Sequence, residues 1–247
     1  MASWIVHLRI AEMILSHLPE LDAGQFAIGN VAPDSGVPDE NWENFNPPAE
    51  VTHFKKQKNT PNELGVYEDL RFYRQYLQGK VTLEKDPKRF SFLLGYFFHL
   101  ITDNLWADRI ARPTQQRYKS EFAQNSGFIW EVKKDWYGLD FAYVRSHPDS
   151  IFWSVFLDSH YEIEYLNYFP PQAIANQLDY IKTFYQRMDE KVDNQLRLTN
   201  NIYLNEAEMA LFVDGSYRDL LRIYQAIWDR NVMVRGLVSA VELLVRY

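Results

Sequence analysis

Residues 87–111 constrain this chain more than any other stretch. Pro87 suits the first position of a helix, and Pro113 stops one soon after residue 111. Between them lies a strongly apolar sequence that includes Phe90, Phe92, Leu93, Leu94, Tyr96, Phe97, Phe98, Leu100, Ile101, Leu105 and Trp106. A helix that is apolar on nearly every side belongs in an interior, so this segment is expected to be the central, most buried helix. Two residues break its character. His99 and Asp103 stand four positions apart, which on a helix puts them on one face, one turn apart. A carboxylate buried there is costly unless it is paired or binds a metal. The same spacing recurs in His160 and Glu164, within Ser159-His160-Tyr161-Glu162-Ile163-Glu164, in a chain with 6 histidines. A histidine and an acid one turn apart also suit a plain structural hydrogen bond, so each pair needs companions before it reads as a metal site.

The rest of the chain is read as helical. With 247 residues, 47% of them hydrophobic, one large core can form. Only 10 glycines occur, few for a fold full of tight β-turns, and no segment sustains an apolar/polar alternation. Helices are predicted over residues 3–18, 63–77, 87–111, 114–125, 128–136, 148–158, 159–168 and 172–194, with one or two more over 216–247. Residues 26–60 hold Pro33, Pro38, Pro47 and Pro48 among many Asn and Asp, and read as a long ordered loop; such loops are often functional. No domain-scale linker is evident. The expected architecture is therefore a single multi-helix, all-α domain over residues 1–247.

Several function classes are narrowed by composition. There is no cysteine, so a metal would have to be held by His, Asp, Glu, backbone or water. The net charge of -7 supplies no basic footprint for long nucleic acid and disfavours anionic membrane surfaces. The basic cluster Lys55-Lys56-Gln57-Lys58 follows His53 and reads as a solvated loop able to attract an anionic substrate. The first residues lack a basic segment followed by an apolar one, and no apolar run of 18 residues occurs, so a soluble, cytoplasmic protein without an integral membrane segment is expected.

The ordered motifs carry a resemblance. Trp4 and His7 lie on the first predicted helix. Asp34 follows in Gly29-Asn30-Val31-Ala32-Pro33-Asp34-Ser35-Gly36, then His53 in Val51-Thr52-His53-Phe54, then His99 with Asp103, then His160 with Glu164. In this order the chain resembles the bacterial zinc-dependent phospholipase C family and is more distantly similar to the fungal zinc-dependent single-strand nucleases. The resemblance covers residues 1 to about 170. It implies a zinc-dependent phosphoesterase with one to three zinc ions, other divalent metals also being acceptable. Its implied ligands are His7, Asp34, His53, His99, Asp103, His160 and Glu164. Asp103 would bridge two ions, and Asp34 would be a ligand or the general base near the attacking water.

Two positions depart from the family pattern. There, processing exposes the tryptophan as the first residue, and its amine and carbonyl bind one zinc; here Met1-Ala2-Ser3 precede Trp4. The family also has a histidine six residues after the aspartate of its His-x-x-x-Asp pair. Arg109 stands there instead and cannot serve, leaving Asp108, Asp135, Asp140 and His147 as candidate third ligands of the His160/Glu164 site.

The chemistry that follows is cleavage of a small phosphodiester or phosphomonoester by metal-activated water. Two alternatives compete with it. A helical phosphohydrolase of the histidine-aspartate type needs adjacent His and Asp, which this chain lacks. A non-catalytic helical interaction protein could retain the same metal-binding pocket. The expectation to be tested on a structure is that Asp34, His53, His99 and Asp103 converge, with His7 facing the same cavity across Asp103.

Overall fold

A computed structural model describes residues 1–41, 43–56, 66–187, 189–198 and 201–246. Helix accounts for 64% of the structure, which makes the chain all-α. Among the described residues the only strands are β1 (Val37–Pro38) and β2 (Phe45–Asn46), which pair antiparallel with Val37 opposite Asn46. The α-helices in chain order are α1 (Trp4–Leu15), α2 (Ala23–Gly29), α3 (Ala49–Thr52), α4 (Asp69–Phe72), α5 (Pro87–Trp106), α6 (Arg112–Arg117), α7 (Lys119–Gln124), α8 (Phe128–Ser146), α9 (Ala173–Gln186), α10 (Glu190–Leu198), α11 (Glu206–Tyr224) and α12 (Leu243–Arg246). Among the described residues no helix is long and apolar enough to cross a membrane.

The predicted central helix is α5. The Asp86 carboxylate caps it by accepting the Arg89 amide at 3.1 Å, and Pro87 occupies the first turn. It then continues through a wider π-helical turn, Ala107–Ala111. All residues from 90 to 103 are buried, so the apolar sequence and the interior position agree. Around α5 sit α1, α2, α4 and α11. The aromatic side chains interlock at this centre: Trp106 meets Trp136 and Phe212 edge-on, with ring centroids 5.0 and 4.9 Å apart.

Closest to α5 is α2, which the sequence reading missed. Residues 26–60 were expected to form one long loop, yet the helix runs through Ala23–Gly29 before the chain becomes irregular. Its signal is Asp22, which accepts the Gln25 amide at 2.9 Å as an N-cap. The prolines begin only after α2 has ended, and they account for the irregular stretch that follows. That stretch includes a 3-10 turn (Ala32–Asp34) and the short α3, the two segments that deliver Asp34 and His53. The basic cluster after His53 lies partly outside the described residues, since residues 57 and 58 belong to it.

Candidate metal centre

Five of the seven predicted site residues meet at the buried face of α5. His7 comes from α1, Asp34 from the end of the 3-10 turn, His53 from the residue after α3, and His99 and Asp103 from α5. His7, His99 and Asp103 are fully buried, and His53 is 1% exposed. The His53 Nε2 lies 3.2 Å from the Asp34 Oδ1 and 3.3 Å from the His99 Nε2. The two oxygens of Asp103 face different rings: Oδ1 lies 3.6 Å from the His7 Nε2, while Oδ2 lies 3.6 Å from the His99 Nε2 and 3.8 Å from the His53 Nε2. The His7 and His99 rings stack nearly parallel, with centroids 3.9 Å apart.

Each group is held from behind. The His99 Nδ1–H donates to the Asn30 carbonyl at 2.8 Å, just past the end of α2. That bond turns the Nε2 of His99 toward the cluster, in the manner of metal-binding histidines. His53 pairs through Nδ1 with the Thr52 hydroxyl at 2.9 Å. The Tyr96 hydroxyl on α5 in turn donates to the Thr52 carbonyl at 2.5 Å. The Trp4 indole N–H donates to Asp34 Oδ2 at 2.9 Å. The backbone N–H of Ala2 donates to Asp103 Oδ1 at 2.8 Å. Sequence reasoning did not single out Ala2 or Asn30: both act through backbone atoms, which residue type does not reveal. Trp4 was part of the motif, but its contact with Asp34 was not foreseen.

Electrostatics separate the histidines. Burial, with the charge of His99, brings His7 down to about 4, so it is held neutral. Burial also lowers His53. For His99 burial pulls downward, but the Asp103 carboxylate more than offsets this and raises it. Burial works against both carboxylates. In Asp34 the hydrogen bond from His53 wins and brings it to about 2. In Asp103 the amino-terminal charge, His99 and His7 hold it well below the ordinary range. Both acids are therefore anionic at neutral pH.

This arrangement fits a divalent metal. Both ring nitrogens of His7 and the Oδ2 of Asp103 are buried without a hydrogen-bond partner, a costly state for a protein interior. Two triads have ligand atoms all within 4.8 Å of one another: His7, His99 and Asp103, and Asp34, His53 and His99. Imidazole nitrogens with carboxylate oxygens form the donor set of a cysteine-free zinc site.

The remaining predicted residues do not join. The helix expected over residues 159–168 does not form; the segment is irregular. His160 and Glu164 are exposed on it, and four-residue spacing aligns two side chains only when the backbone is helical. Here Tyr161 and Tyr165 instead pack on Phe92, both with ring centroids 5.2 Å away. The candidate third ligands have other partners. Asp108 pairs with Arg112, and Asp135 accepts the backbone amides of Asn201 and Tyr203. Asp140 accepts the hydroxyls of Ser3 and Tyr185, and His147 stacks on Tyr143. Arg109, at the family's histidine position, pairs with Asp219.

Asp34 marks the way in. It lines a cleft of ≈ 400 Å³ with Trp4, Trp136, Tyr137 and Tyr180 among its walls. A smaller cavity of ≈ 110 Å³ reaches Asp34 and His53 from the side of Pro47 and Thr52.

Comparison with known proteins bears on the same part of the chain. A family model described as zinc dependent phospholipase C matches residues 6–124, which contain all five converging residues. No curated protein and no solved structure matches the chain. The match over residues 6–124 supports the resemblance of this chain to the zinc-dependent phospholipase C family.

Proposed function

We propose that this protein is a zinc-dependent phosphoesterase that cleaves a small phosphate ester with metal-activated water. The observation that supports this most strongly is Asp103, whose two oxygens face separate imidazole groups. A carboxylate placed so would serve two ions, with Asp34, His53 and His99 the residues that would hold one and His7 a residue that would hold the other. Asp103 would hold both. Zinc in such a site lowers the pKa of bound water to about 7 and clamps phosphoryl oxygens. His160 and Glu164 stand too exposed to add to this centre, so our reading stops at two ions.

The chain's own residues supply orientation. Asp34 is the carboxylate at the boundary between cluster and cleft, and it stays ionised at neutral pH. We take it as a zinc ligand that would orient the attacking water, since a carboxylate held near 2 is too weak a base to take its proton. Trp4 fixes one of its oxygens and leaves the other toward His53. Asn30 fixes the His99 ring. Water is excluded behind the cluster by the apolar face of α5.

The test is elemental analysis of the purified protein, coupled to hydrolysis of p-nitrophenyl phosphate and its bis ester. Activity should disappear on chelation and return when zinc is added back. Zinc-loaded protein that is inert on both esters and on a panel of natural phosphodiesters would favour a non-catalytic pocket.

A further inference from the structure

The turn that presents His53 is built against its own local preference. The helix before it, α3, runs only from Ala49 to Thr52, too short to be stable by itself. The chain then closes with a paired helix stop. The Phe54 amide donates to the Val51 carbonyl at 3.3 Å, and the Lys55 amide donates to the Glu50 carbonyl at 3.1 Å. A stop of this kind puts the residue after the cap in the left-handed region, where glycine is the usual occupant. Phe54 stands there instead, with φ at 51°. A bulky L-residue is strained in that region, and such strain persists only where the surroundings over-determine it.

Here the surroundings act through the ring. Phe54 is buried. Its ring meets those of Phe72, Tyr76 and Tyr168 edge-on, with centroids 5.4, 6.4 and 6.3 Å away. The Arg71 guanidinium lies 5.7 Å from its centroid. Arg71 and Phe72 belong to α4, and Tyr76 to the π-helical turn Tyr73–Leu77 that continues it. Backbone bonds tie the same turn to residues 66–68: the Phe54 carbonyl accepts the Glu68 amide, and the Lys56 amide donates to the Val66 carbonyl, both at 2.9 Å. Any residue at position 54 could make the backbone bonds. Only the caged ring depends on its being phenylalanine. One residue earlier, the His53 Nε2 lies between the Asp34 carboxylate and the His99 ring.

We infer, resting on the zinc reading of this centre, that Phe54 is a positioning residue: its caged ring holds the left-handed turn that directs His53 at Asp34 and His99. Glycine would adopt the same backbone without strain, but it would leave the turn free to move. The ring fixes it, and a metal ligand needs that kind of support from behind.

The experiment uses the full-length protein, stripped of metal, as wild type, Phe54→Gly and Phe54→Leu. Zinc affinity is measured by competition with a chelating dye, and the visible absorption of the cobalt(II)-loaded protein reports the ligand geometry. Both are read without denaturant on protein whose far-UV circular dichroism matches wild type. Phe54→Gly removes the strain and the anchor together; its zinc affinity should fall about tenfold or more, with an altered cobalt spectrum. Phe54→Leu fills part of the cage and should lose less. If Phe54→Gly does not fold, Phe54→Leu decides, with weaker zinc binding and an altered cobalt spectrum still expected. A Phe54 that serves packing alone would lower unfolding stability and leave the folded variant with zinc affinity within about twofold of wild type and an unchanged cobalt spectrum, which would overturn the inference while the zinc reading stands. Wild type that binds neither zinc nor cobalt would overturn the zinc reading and this inference with it.

Discussion

Asp103 has more demands on it than any other residue in the centre. One oxygen receives the Ala2 amide and faces His7; the other faces His53 and His99 and has no hydrogen-bond donor of its own. Asp103→Asn keeps the volume but removes the charge and turns an NH2 group toward imidazole nitrogens that a metal would need. We expect zinc content to fall and hydrolysis to drop by at least about 100-fold, roughly 2.7 kcal/mol or more in the barrier. Glu164→Gln should change neither, because Glu164 is exposed on an irregular segment. Zinc content by elemental analysis and steady-state hydrolysis of p-nitrophenyl phosphate check both variants. Full activity in Asp103→Asn would mean that the centre is assigned to the wrong residues. The Ala2 contact bears on the tryptophan amine that the family pattern places at its metal site. A backbone nitrogen does approach Asp103 here, but it is the amide of a residue that precedes Trp4, and it occupies the oxygen that faces His7.

At the scale of elements, the centre depends on how closely two helices approach. A Cβ at Gly95 on α5 would lie 2.4 Å from the Phe26 carbonyl oxygen of α2, and one at Gly29 would lie 2.1 Å from the Phe92 carbonyl oxygen. Both distances are far inside van der Waals contact, and the atoms met are backbone, which cannot swing aside. The same two helices carry the bond between His99 and the Asn30 carbonyl. Gly95→Ala should therefore cost about 1–3 kcal/mol of stability by overpacking and also weaken zinc binding by pushing Asn30 away from His99. Denaturant unfolding with and without zinc measures both; wild-type stability would show that the helices separate freely. This interface explains what could be read from the sequence and what could not. The central helix was legible because its apolar run, starting proline and stop are local signals. His7, Asp34, His53, His99 and Asp103 were legible as an ordered set of residue types. α2 was hidden because a short helix ahead of a proline-rich stretch takes its stability from packing on α5, which a local reading does not see. His160 and Glu164 misled for a related reason: their spacing was read on a helix that aromatic packing on Phe92 replaced.

On the scale of the whole molecule, the converging residues lie within residues 6–124, yet they are held in place by what lies beyond. Trp106, at the end of α5, is buried between Trp136 of α8 and Phe212 of α11. Trp4, the residue that steadies Asp34, packs edge-on against Tyr180, Phe184 and Tyr185 of α9. The Asp140 carboxylate of α8 ties these parts together. One oxygen accepts the Ser3 hydroxyl and the other the Tyr185 hydroxyl, both at 2.7 Å. Burial raises its pKa to about 7 despite the two hydrogen bonds. The sign of its effect on stability follows. Between the ordinary carboxylate value and about 7 the folded protein binds a proton that the unfolded chain has released, so this contribution is complete at low pH and is lost as pH rises through about 7. Asp140→Asn cannot ionise and stays close to the protonated form in shape. Its destabilisation relative to wild type should be on the order of 1 kcal/mol near pH 4, where an amide replaces one good acceptor. It should then shrink as pH rises, reverse sign before about pH 7 and level off above it, as wild type alone loses stability from this site. Denaturant unfolding of both proteins across that range measures the difference directly, and the subtraction removes the opposite pH dependence of Asp34. A gap that widens with pH would mean that Asp140 is ionised in the fold throughout, and that the amino-terminal segment is anchored by a charge.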